Sequence, residues 1–304
     1  MDEVCVIGGS RYFGRRLITR LRDAGVRVTL VNRGSTPPPE GVTRLTADRD
    51  DEAALSAALG DRTFDAVVDQ VLYTPVQAAA ARRVFRGRTG RYVMTSTIEV
   101  YAGIAAGAPL AEAAVDPEAV PVDLELPWQQ RHLIADHYAE GKRQAEAVLA
   151  RGQAELPYVA VRTAHVLGGG AEDFTGRLAH YVERIRAGEE VRVHRDARPS
   201  TFVEYHEIAD FLAWTAGSSF TGPVNACSPG DLGVAELCRL VGERVGREAR
   251  FRTDGDEPSP FSFGHYYGMD NSRAAQLGYE FSPLSSWLPG VVAEAAARVG
   301  GPGA

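Results

Sequence analysis

The chain has 304 residues, 44% hydrophobic and 24% charged, with a formal net charge of −7 at pH 7; these values predict one large or two fused globular domains. The acidic charge argues against a general binder of nucleic acid or of a membrane surface. The three cysteines lack metal spacing and favour a reducing, cytoplasmic setting, and neither a signal peptide nor an apolar run long enough to span a bilayer is expected.

The first half of the sequence alternates short apolar, β-branched runs with segments of helical periodicity. Strands are predicted at residues 4–7, 26–31, 43–46, 64–71, 91–95 and 158–162, and helices at 15–24, 51–59, 76–85 and 131–151. Repeated β-α units of this length predict a parallel sheet with helices on both faces. The expected fold class is therefore α/β, with a Rossmann-type, doubly wound parallel sheet.

The regular alternation breaks past Gly168. Helical segments are then predicted at residues 177–187, 208–216 and 234–245, between short strands and loops rich in Gly, Pro and aromatic residues. We predict a Rossmann-type domain over 1–165 and a smaller α+β lobe over 166–304. The lobe is expected to pack closely on the domain, as a continuous or a discontinuous unit.

A glycine-rich turn, GGSRYFG, separates the first strand from the first helix. Its residues are Gly8, Gly9, Ser10, Arg11, Tyr12, Phe13 and Gly14. Glycines allow a sharp turn and a close approach of the backbone, and a helix N-terminus offers N–H groups and its dipole to a pyrophosphate. The turn therefore predicts dinucleotide binding, and the alternative is a tight β-α turn without a ligand.

The second strand ends at Asn32 and Arg33, where a dinucleotide fold usually places an acid for the adenosine ribose. Loss of the carboxylate and gain of a guanidinium favour the 2′-phosphate of NADP, with Arg11 as a second partner. We therefore expect NAD(P) as the cofactor, with NADP favoured over NAD. Residues 1–165 are then the NAD(P)-binding domain and residues 166–304 the substrate-binding lobe. The alternative is that both arginines are simply solvated.

Lys142 is the only lysine of the chain, although Lys and Arg together number 33. Arginine does not replace lysine where a compact ammonium must fit among several acceptors. A helix places Tyr138 and Lys142, four residues apart, on one face, where the ammonium favours the tyrosinate form. The pair predicts Tyr138 as the proton acceptor and donor of a hydride transfer, with Lys142 on the cofactor ribose. An exposed pair of helix side chains is the alternative.

Motifs over nearly the whole chain resemble those of one family. Besides the glycine turn and the Tyr138/Lys142 pair, they are Asp48 after the third strand, residues 92–96, the run RTAHV at 162–166 and the run NSRAAQLG at 271–278. With these motifs the sequence resembles the extended short-chain dehydrogenase/reductases, also called the NAD-dependent epimerase/dehydratase family. The middle glycine of the family's turn is replaced by Arg11.

The resemblance implies roles for individual residues. Thr97, four residues before Tyr101, would hydrogen-bond the substrate oxygen and complete a catalytic triad with Tyr138 and Lys142. Further cofactor contacts are implied at Asp48, Arg49, Val71 and His165.

Glu99 bears on the type of reaction. The stretch from Thr97 to Tyr101 is similar to the Thr-Asp-Glu or Thr-Ser-Glu stretch of sugar-nucleotide dehydratases in this family. In those enzymes the carboxylate removes a proton beside a newly formed ketone, which acidifies the neighbouring C–H bond. Ile98 replaces the polar residue that often protonates the leaving hydroxyl. A surface glutamate without a role in catalysis is the alternative.

The substrate is the least specified part of the hypothesis. Candidate contacts are Trp128, His165, Arg177, Arg198, His206 and Tyr266, and no metal-ligand cluster is expected. The family's arginine for a sugar-nucleotide diphosphate aligns with Ser200, so a nucleotide sugar, a nucleoside and a free polyol all stay open.

We expect a cytoplasmic enzyme that oxidises a sugar-like alcohol transiently and completes an elimination or an epimerisation. One alternative is a plain NADPH-dependent ketoreductase in which Glu99 is incidental. The other is a non-catalytic dinucleotide sensor or RNA-binding relative, against which the acidic charge and the intact Tyr138/Lys142 pair count. We expect neither nucleic acid nor membrane as a partner, and a homodimer is compatible with the family resemblance.

Overall fold

The structure is a computed structural model that describes residues 1–130, 137–253 and 258–299. It divides into two compact units that are interleaved along the chain. The first unit comprises residues 1–102, 112–163 and 208–226, and the second comprises 103–111, 164–207 and 227–304. A single boundary after residue 165 would place the ranges 103–111, 164–165 and 208–226 in the other unit from the one to which they belong.

Strands and helices are numbered in chain order. The strands are β1 (Glu3–Ile7), β2 (Arg27–Asn32), β3 (Thr43–Thr46), β4 (Ala66–Asp69), β5 (Tyr92–Thr97), β6 (Tyr158–Thr163), β7 (His165–Leu167), β8 (Glu190–Arg192), β9 (Ser200–Glu204), β10 (Gly222–Ala226), β11 (Asp231–Leu232) and β12 (Arg250–Arg252). The helices are α1 (Tyr12–Asp23), α2 (Glu52–Leu59), α3 (Pro75–Phe85), α4 (Tyr138–Ala150), α5 (Arg177–Ala187), α6 (Tyr205–Gly217), α7 (Val234–Val245), α8 (Ser272–Gln276) and α9 (Leu284–Val299). Residues 131–136 of the predicted helix 131–151 lie outside the described residues.

A seven-stranded sheet forms the centre of the first unit. Its order is β3-β2-β1-β4-β5-β6-β10, and every neighbouring pair is parallel. The strand order reverses between β1 and β4, and a crevice at the carboxyl ends of such strands is the usual place for a dinucleotide. The predicted Rossmann-type α/β fold is confirmed, although the seventh strand, β10, was not predicted.

The elements of this sheet form for local reasons. From Val4 to Ile7 no side chain of β1 is more than 1% exposed, as expected for a parallel strand covered on both faces. Helix α3 begins with Pro75 in its first turn and with a reciprocal capping box, in which Thr74 Oγ1 accepts from Gln77 N and Gln77 Oε1 accepts from Thr74 N, each at 3.2 Å. These contacts fix the loop between β4 and α3, which borders the site.

The second unit is α+β. Its three-stranded sheet has the order β11-β9-β7, with one antiparallel and one parallel pairing, and β8 pairs with β12 in parallel. The helices α5, α7 and α9 supply most of its apolar core, which includes Leu178, Tyr181, Val182, Ile185, Leu237, Val241, Leu288 and Val292. Within the described part of the chain, no helix has both the length and the apolar character needed to cross a membrane.

Candidate active site

The glycine turn closes directly after β1. Gly8 and Gly9 have φ angles of 75° and 69°, in the left-handed region that favours glycine, and Gly8 N donates to Val31 O at 2.9 Å. A Cβ atom on Gly14 would lie 2.5 Å from Gly9 Cα, so only glycine permits the first turn of α1 to pack this closely. Tyr12, with φ of 51°, is a non-glycine residue in the same strained region.

The end of β2 is tied to this turn. Asn32 Nδ2 donates to Ser10 Oγ at 2.8 Å, and Gly34 N donates to Asn32 Oδ1 at 2.9 Å. Both ends of the Asn32 amide are therefore used within the protein. Arg33, next to Asn32, and Arg11, next to Ser10, are exposed.

Several buried hydrogen-bond donors that follow β3 and β4 suit a dinucleotide. Among the described residues, Gln70 Nε2 and the Nε and Nη1 atoms of Arg49 are buried without a hydrogen-bond partner. Gln70 Nε2 would lie 2.9 Å from a Cβ atom on Gly9, so it borders the glycine turn. Buried N–H groups without acceptors are costly, and oxygen atoms of a bound NAD(P) would satisfy them. The residues present therefore fit the cofactor.

The remaining sequence-predicted cofactor contacts border the same carboxyl edge. The Val71 side chain lies against Gly8, because a Cβ atom there would come within 2.6 Å of Val71 Cγ1. Asp48 is exposed and accepts from Asp50 N at 3.0 Å. Phe13 is partly buried in the first turn of α1. His165, by contrast, belongs to the second unit.

Helix α4 places Tyr138 and Lys142 on one face, as predicted from their spacing. Lys142 Nζ donates to Thr95 O at 2.7 Å, and it lies 5.8 Å from the centroid of the Tyr138 ring. The lysine is only 2% exposed, and its burial lowers the pKa of Lys142 to about 7. The carboxylates of Asp69 and Glu146 oppose this shift. Lys142 is therefore a buried amine held against β5.

Thr97 ends β5, two residues beyond the carbonyl that accepts from Lys142. Its side chain is buried, and its Oγ1 accepts from Glu99 N at 3.2 Å, which caps the short 3-10 segment Ile98–Tyr101. Glu99 is partly buried within this segment. The structure thus brings Thr97, Lys142 and Tyr138 to the region where β5 meets α4, with Glu99 on the adjoining turn.

A buried ion pair lies one turn beyond Lys142 on α4. Glu146 accepts from Arg162 Nη2 at 2.7 Å and from Ser96 Oγ at 2.5 Å, and both members of the ion pair are 0% exposed. Arg162 also donates to Tyr101 Oη at 3.0 Å. This network joins β5, β6 and α4, and thereby fixes the strand and the helix that carry the catalytic candidates.

A pocket of about 360 Å³ opens beside Tyr138. The residues that line it are Tyr73, Thr74, Leu126, Pro127, Trp128, His137 and Tyr138. Trp128, a predicted substrate contact, is buried, and its Nε1 donates to Asp123 O at 2.7 Å. Tyr138 and Trp128 therefore share one largely aromatic pocket.

The other predicted substrate contacts lie in the second unit. His165 is buried among the rings of Phe202, Phe261, Phe263 and Tyr267, and its burial, with a further contribution from Arg177, lowers the pKa of His165 to about 3. Arg177 covers the Phe261 ring at 5.1 Å. The structure thus brings His165 and Arg177 to one aromatic cluster.

The last three candidates also belong to the second unit. Arg198 is exposed, His206 is exposed beside the Tyr205 ring, and Tyr266 donates to the Asp231 carboxylate at 3.0 Å. Within the described ranges, no group of three or more metal-ligating side chains occurs.

Sequence reasoning missed Gln70 and Tyr73, which border the glycine turn and the pocket. Both lie in the loop that follows β4, whose carboxyl end lies at the point where the strand order reverses. That position was the one signal in the sequence that could have identified them.

Comparison with known proteins agrees with this geometry. Residues 4–84 match the family described as the NAD dependent epimerase/dehydratase family. The human protein short-chain dehydrogenase/reductase family 42E member 1 is 27% identical over 210 residues, which cover 60% of this chain and 50% of the human protein. These matches show that the chain is similar to the NAD-dependent epimerase/dehydratase family, over residues 4–84, and to a short-chain dehydrogenase/reductase. The chain spans about half the length of the curated relatives that it matches.

Solved enzyme structures share the fold over nearly the whole length of this chain. UDP-glucose 4-epimerase of Thermotoga maritima superposes with a TM-score of 0.74, at 16% identity and with 98% of each chain covered. The Bordetella bronchiseptica enzyme WbmH, solved with NAD⁺, gives a TM-score of 0.71 at 21% identity, with 100% of each chain covered. Both identities are low, so these likenesses establish the fold alone.

Proposed function

We propose that this protein is an NAD(P)-dependent oxidoreductase of the epimerase/dehydratase type. It would oxidise a sugar-like alcohol transiently to a ketone and then complete an epimerisation or an elimination. The observation that carries the proposal is the placement of Lys142 between the Thr95 carbonyl and Tyr138, with Tyr138 in the wall of a pocket. A buried amine beside a tyrosine at a pocket suits proton transfer.

The glycine turn and the donors of Gln70 and Arg49 would hold the cofactor. When bound, NAD(P) supplies reversible hydride acceptance. Tyr138 would take the proton of the substrate hydroxyl, while Thr97 would donate a hydrogen bond to the same oxygen. Lys142 would hold the cofactor ribose and favour the ionised form of Tyr138.

Glu99 would act after the ketone has formed. The ketone acidifies the neighbouring C–H bond, and a partly buried carboxylate on the turn that follows Thr97 is suited to remove that proton. In a dehydratase the adjacent hydroxyl would then leave as water. An incidental Glu99 corresponds to the alternative, a ketoreductase that consumes one NADPH in each turnover.

For the cofactor we favour NADP, because Arg33 and Arg11 are exposed at the end of β2 and at the glycine turn, where no carboxylate is present at position 32. The NAD⁺ complex of WbmH keeps NAD as the competing choice. The UDP-glucose 4-epimerases among the structural neighbours favour a nucleotide sugar over a nucleoside as the substrate. The three buried free cysteines suit a reducing cytoplasm, and we expect neither nucleic acid nor membrane as a partner.

The first test is mass spectrometry of any dinucleotide that is released when the purified protein is denatured. Tightly held NAD⁺ or NADP⁺ supports an enzyme that regenerates its cofactor in each cycle. An empty protein that binds added NADPH supports the ketoreductase. A chain that binds neither dinucleotide contradicts the proposal and favours the non-catalytic alternative.

The second test is the turnover of nucleotide sugars by Tyr138→Phe. We expect a loss of about 10²- to 10⁴-fold in kcat with unchanged cofactor binding, because only the proton-transferring hydroxyl is removed. Tyr279→Phe, on a partly buried tyrosine of the second unit, is the matched control. Full activity of the Tyr138 variant would contradict the assigned role.

A further inference from the structure

The ammonium of Lys142 has a second aromatic neighbour that is nearer than Tyr138. Its Nζ lies 4.6 Å from the centroid of the Tyr73 ring and 5.8 Å from that of Tyr138. Both distances fall within the range of about 6 Å in which the negative face of an aromatic ring attracts a cation. Nζ also donates a hydrogen bond to the carbonyl of Thr95, so the ring of Tyr73 is an additional contact of the amine.

The chain fixes Tyr73 from two sides. Its backbone N donates to Gln77 Oε1 at 2.6 Å, as an extension of the capping box at the start of α3. Its carbonyl oxygen lies so close to Gly141 that a Cβ atom on that glycine would collide with it. Gly141 stands directly before Lys142 on α4, so the absence of a side chain there sets the distance between Tyr73 and the amine.

We propose that Tyr73 is a positioning residue, whose ring face holds the ammonium of Lys142 and packs against Tyr138. The rings of Tyr73 and Tyr138 lie 6.1 Å apart at an interplanar angle of 47°. The three side chains thus form one unit, in which the position of the amine determines the surroundings of the phenol. The role in catalysis rests on the proposed function, whereas the contact itself does not.

The ring of Tyr73 should raise the pKa of Lys142, as the nearby carboxylates do. Burial is the largest influence on the pKa of Lys142 and lowers it, Asp69 and Glu146 raise it, and Arg49 lowers it. Burial also raises the pKa of the Tyr73 phenol, so Tyr73 stays neutral and acts through its ring face. A ring face favours the ammonium over the neutral amine. Removal of the ring should therefore lower the pKa of Lys142 further.

The single lysine makes this contact measurable. In protein labelled with ¹³Cε-lysine, one NMR signal reports the titration of Lys142 alone. We expect a midpoint near 7 in the wild type and a similar midpoint in Tyr73→Phe, which keeps the ring. In Tyr73→Leu the midpoint should fall by about one pH unit, as expected for the loss of a partly desolvated cation–π contact. Tyr73→Met provides a second ringless variant if the leucine variant does not fold.

Tyr279→Leu is the matched control, because Tyr279 is also partly buried and its described contacts are to Phe281 and Glu207. It should titrate like the wild type. An unchanged Lys142 midpoint in both ringless variants would overturn the inference. So would a shift in Tyr73→Phe as large as that in Tyr73→Leu, since it would assign the effect to the hydroxyl.

Kinetics separates the contact from the proposed function. With an active enzyme, the pH profile of kcat should move in Tyr73→Leu in the same direction as the Lys142 midpoint, while Tyr73→Phe keeps the wild-type profile. A profile that does not move would overturn the positioning role. If the chain binds no dinucleotide but the NMR shift occurs, the proposed function fails and the Tyr73 contact stands.

Discussion

Two buried arginine–carboxylate pairs lie in the first unit, and they differ in how many of the guanidinium donors have a hydrogen-bond partner. Arg162 meets Glu146 through Nε and Nη2, and its remaining donors reach Tyr101 Oη and the carbonyls of Glu112 and Val115. Arg49 meets Asp69 through Nη2 alone, at 2.6 Å, while its Nε and Nη1 are buried without partners in the described chain.

The difference separates a structural role from a binding role. A buried ion pair is stable only when hydrogen bonds satisfy the remaining donors, and the Arg162 network meets that condition. The Arg49 pair does not, although Asp69 itself also accepts from Tyr92 Oη at 2.6 Å and from Val71 N at 2.9 Å. We call Arg162–Glu146 the closed pair and Arg49–Asp69 the open pair. We infer that the closed pair holds the sheet to α4, whereas the open pair keeps donors available for a ligand.

Breaking the closed pair should have the largest effect. We expect Arg162→Met to lower the free energy of unfolding by about 3–5 kcal/mol, because it leaves Glu146 charged and buried without its cation. Urea denaturation followed by circular dichroism measures the loss. The double variant Arg162→Met/Glu146→Leu should recover part of it. A loss below about 1 kcal/mol in the single variant would refute the structural role.

Breaking the open pair should lower the free energy of unfolding by less than breaking the closed pair, but it should weaken dinucleotide binding. Arg49→Met should lower the free energy of unfolding by about 1–3 kcal/mol, because Asp69 keeps two of its hydrogen bonds. Titration calorimetry with the preferred dinucleotide should show affinity reduced about tenfold, the equivalent of one charged hydrogen bond. Unchanged affinity would mean that the open donors do not serve the cofactor.

The carboxylates of both pairs, Asp69 and Glu146, raise the pKa of Lys142. The titration of Lys142 should make the free energy of unfolding depend on pH. Its pKa in the folded state is about 7 instead of 10.5, so between these values the unfolded chain binds the proton and the folded chain does not. Stability should therefore rise with pH across this window, by at most about 1.4 kcal/mol per pH unit. Below about pH 7 both states are protonated and the effect becomes constant.

The comparison with Lys142→Met isolates this contribution from the other titrating groups. Chemical denaturation of both proteins between pH 7 and 8.5 should show the wild type gaining stability relative to the variant. Parallel pH profiles of the two proteins would show that Lys142 keeps its ordinary pKa.

Breaking an exposed ion pair should have the smallest effect on the free energy of unfolding. Arg83 and Glu52 join α3 to α2 through a two-pronged contact, with Nη2 and Oε2 at 2.7 Å, yet their side chains are 60% and 38% exposed. Arg83→Ala should change the free energy of unfolding by less than about 0.5 kcal/mol in physiological salt. A loss as large as that of Arg49→Met would show that arginine geometry, and not burial, determines the cost.

Local patterns made much of this architecture predictable. The strands and helices of the first half follow from apolar periodicity, and the face shared by Tyr138 and Lys142 follows from helical spacing. The seventh strand, β10, escaped prediction because Gly222 and Pro223 weaken the signal of a short run that pairs with β6. The interleaving of the units was equally hidden, because it arises from contacts between distant segments.

The candidate site was predictable only in part for the same reason. Tyr73 and Gln70 gain their neighbours because the sheet places the loop after β4 beside the glycine turn and α4. The open donors of Arg49 depend on the single contact with Asp69, which is 20 residues away. Residue spacing alone carries no information about such pairs.

The hydrogen bond between Asn32 and Ser10 bears on attempts to exchange one cofactor for the other. An aspartate at position 32 would introduce the usual ribose acceptor, but a carboxylate has no N–H to give Ser10 Oγ. Ser10 would have to become the donor, and its hydroxyl hydrogen would then point toward position 32 and away from the glycine turn. If the glycine turn holds the pyrophosphate as proposed, selectivity for the ribose and the polarity of the glycine turn are linked, and positions 10 and 32 must be altered together.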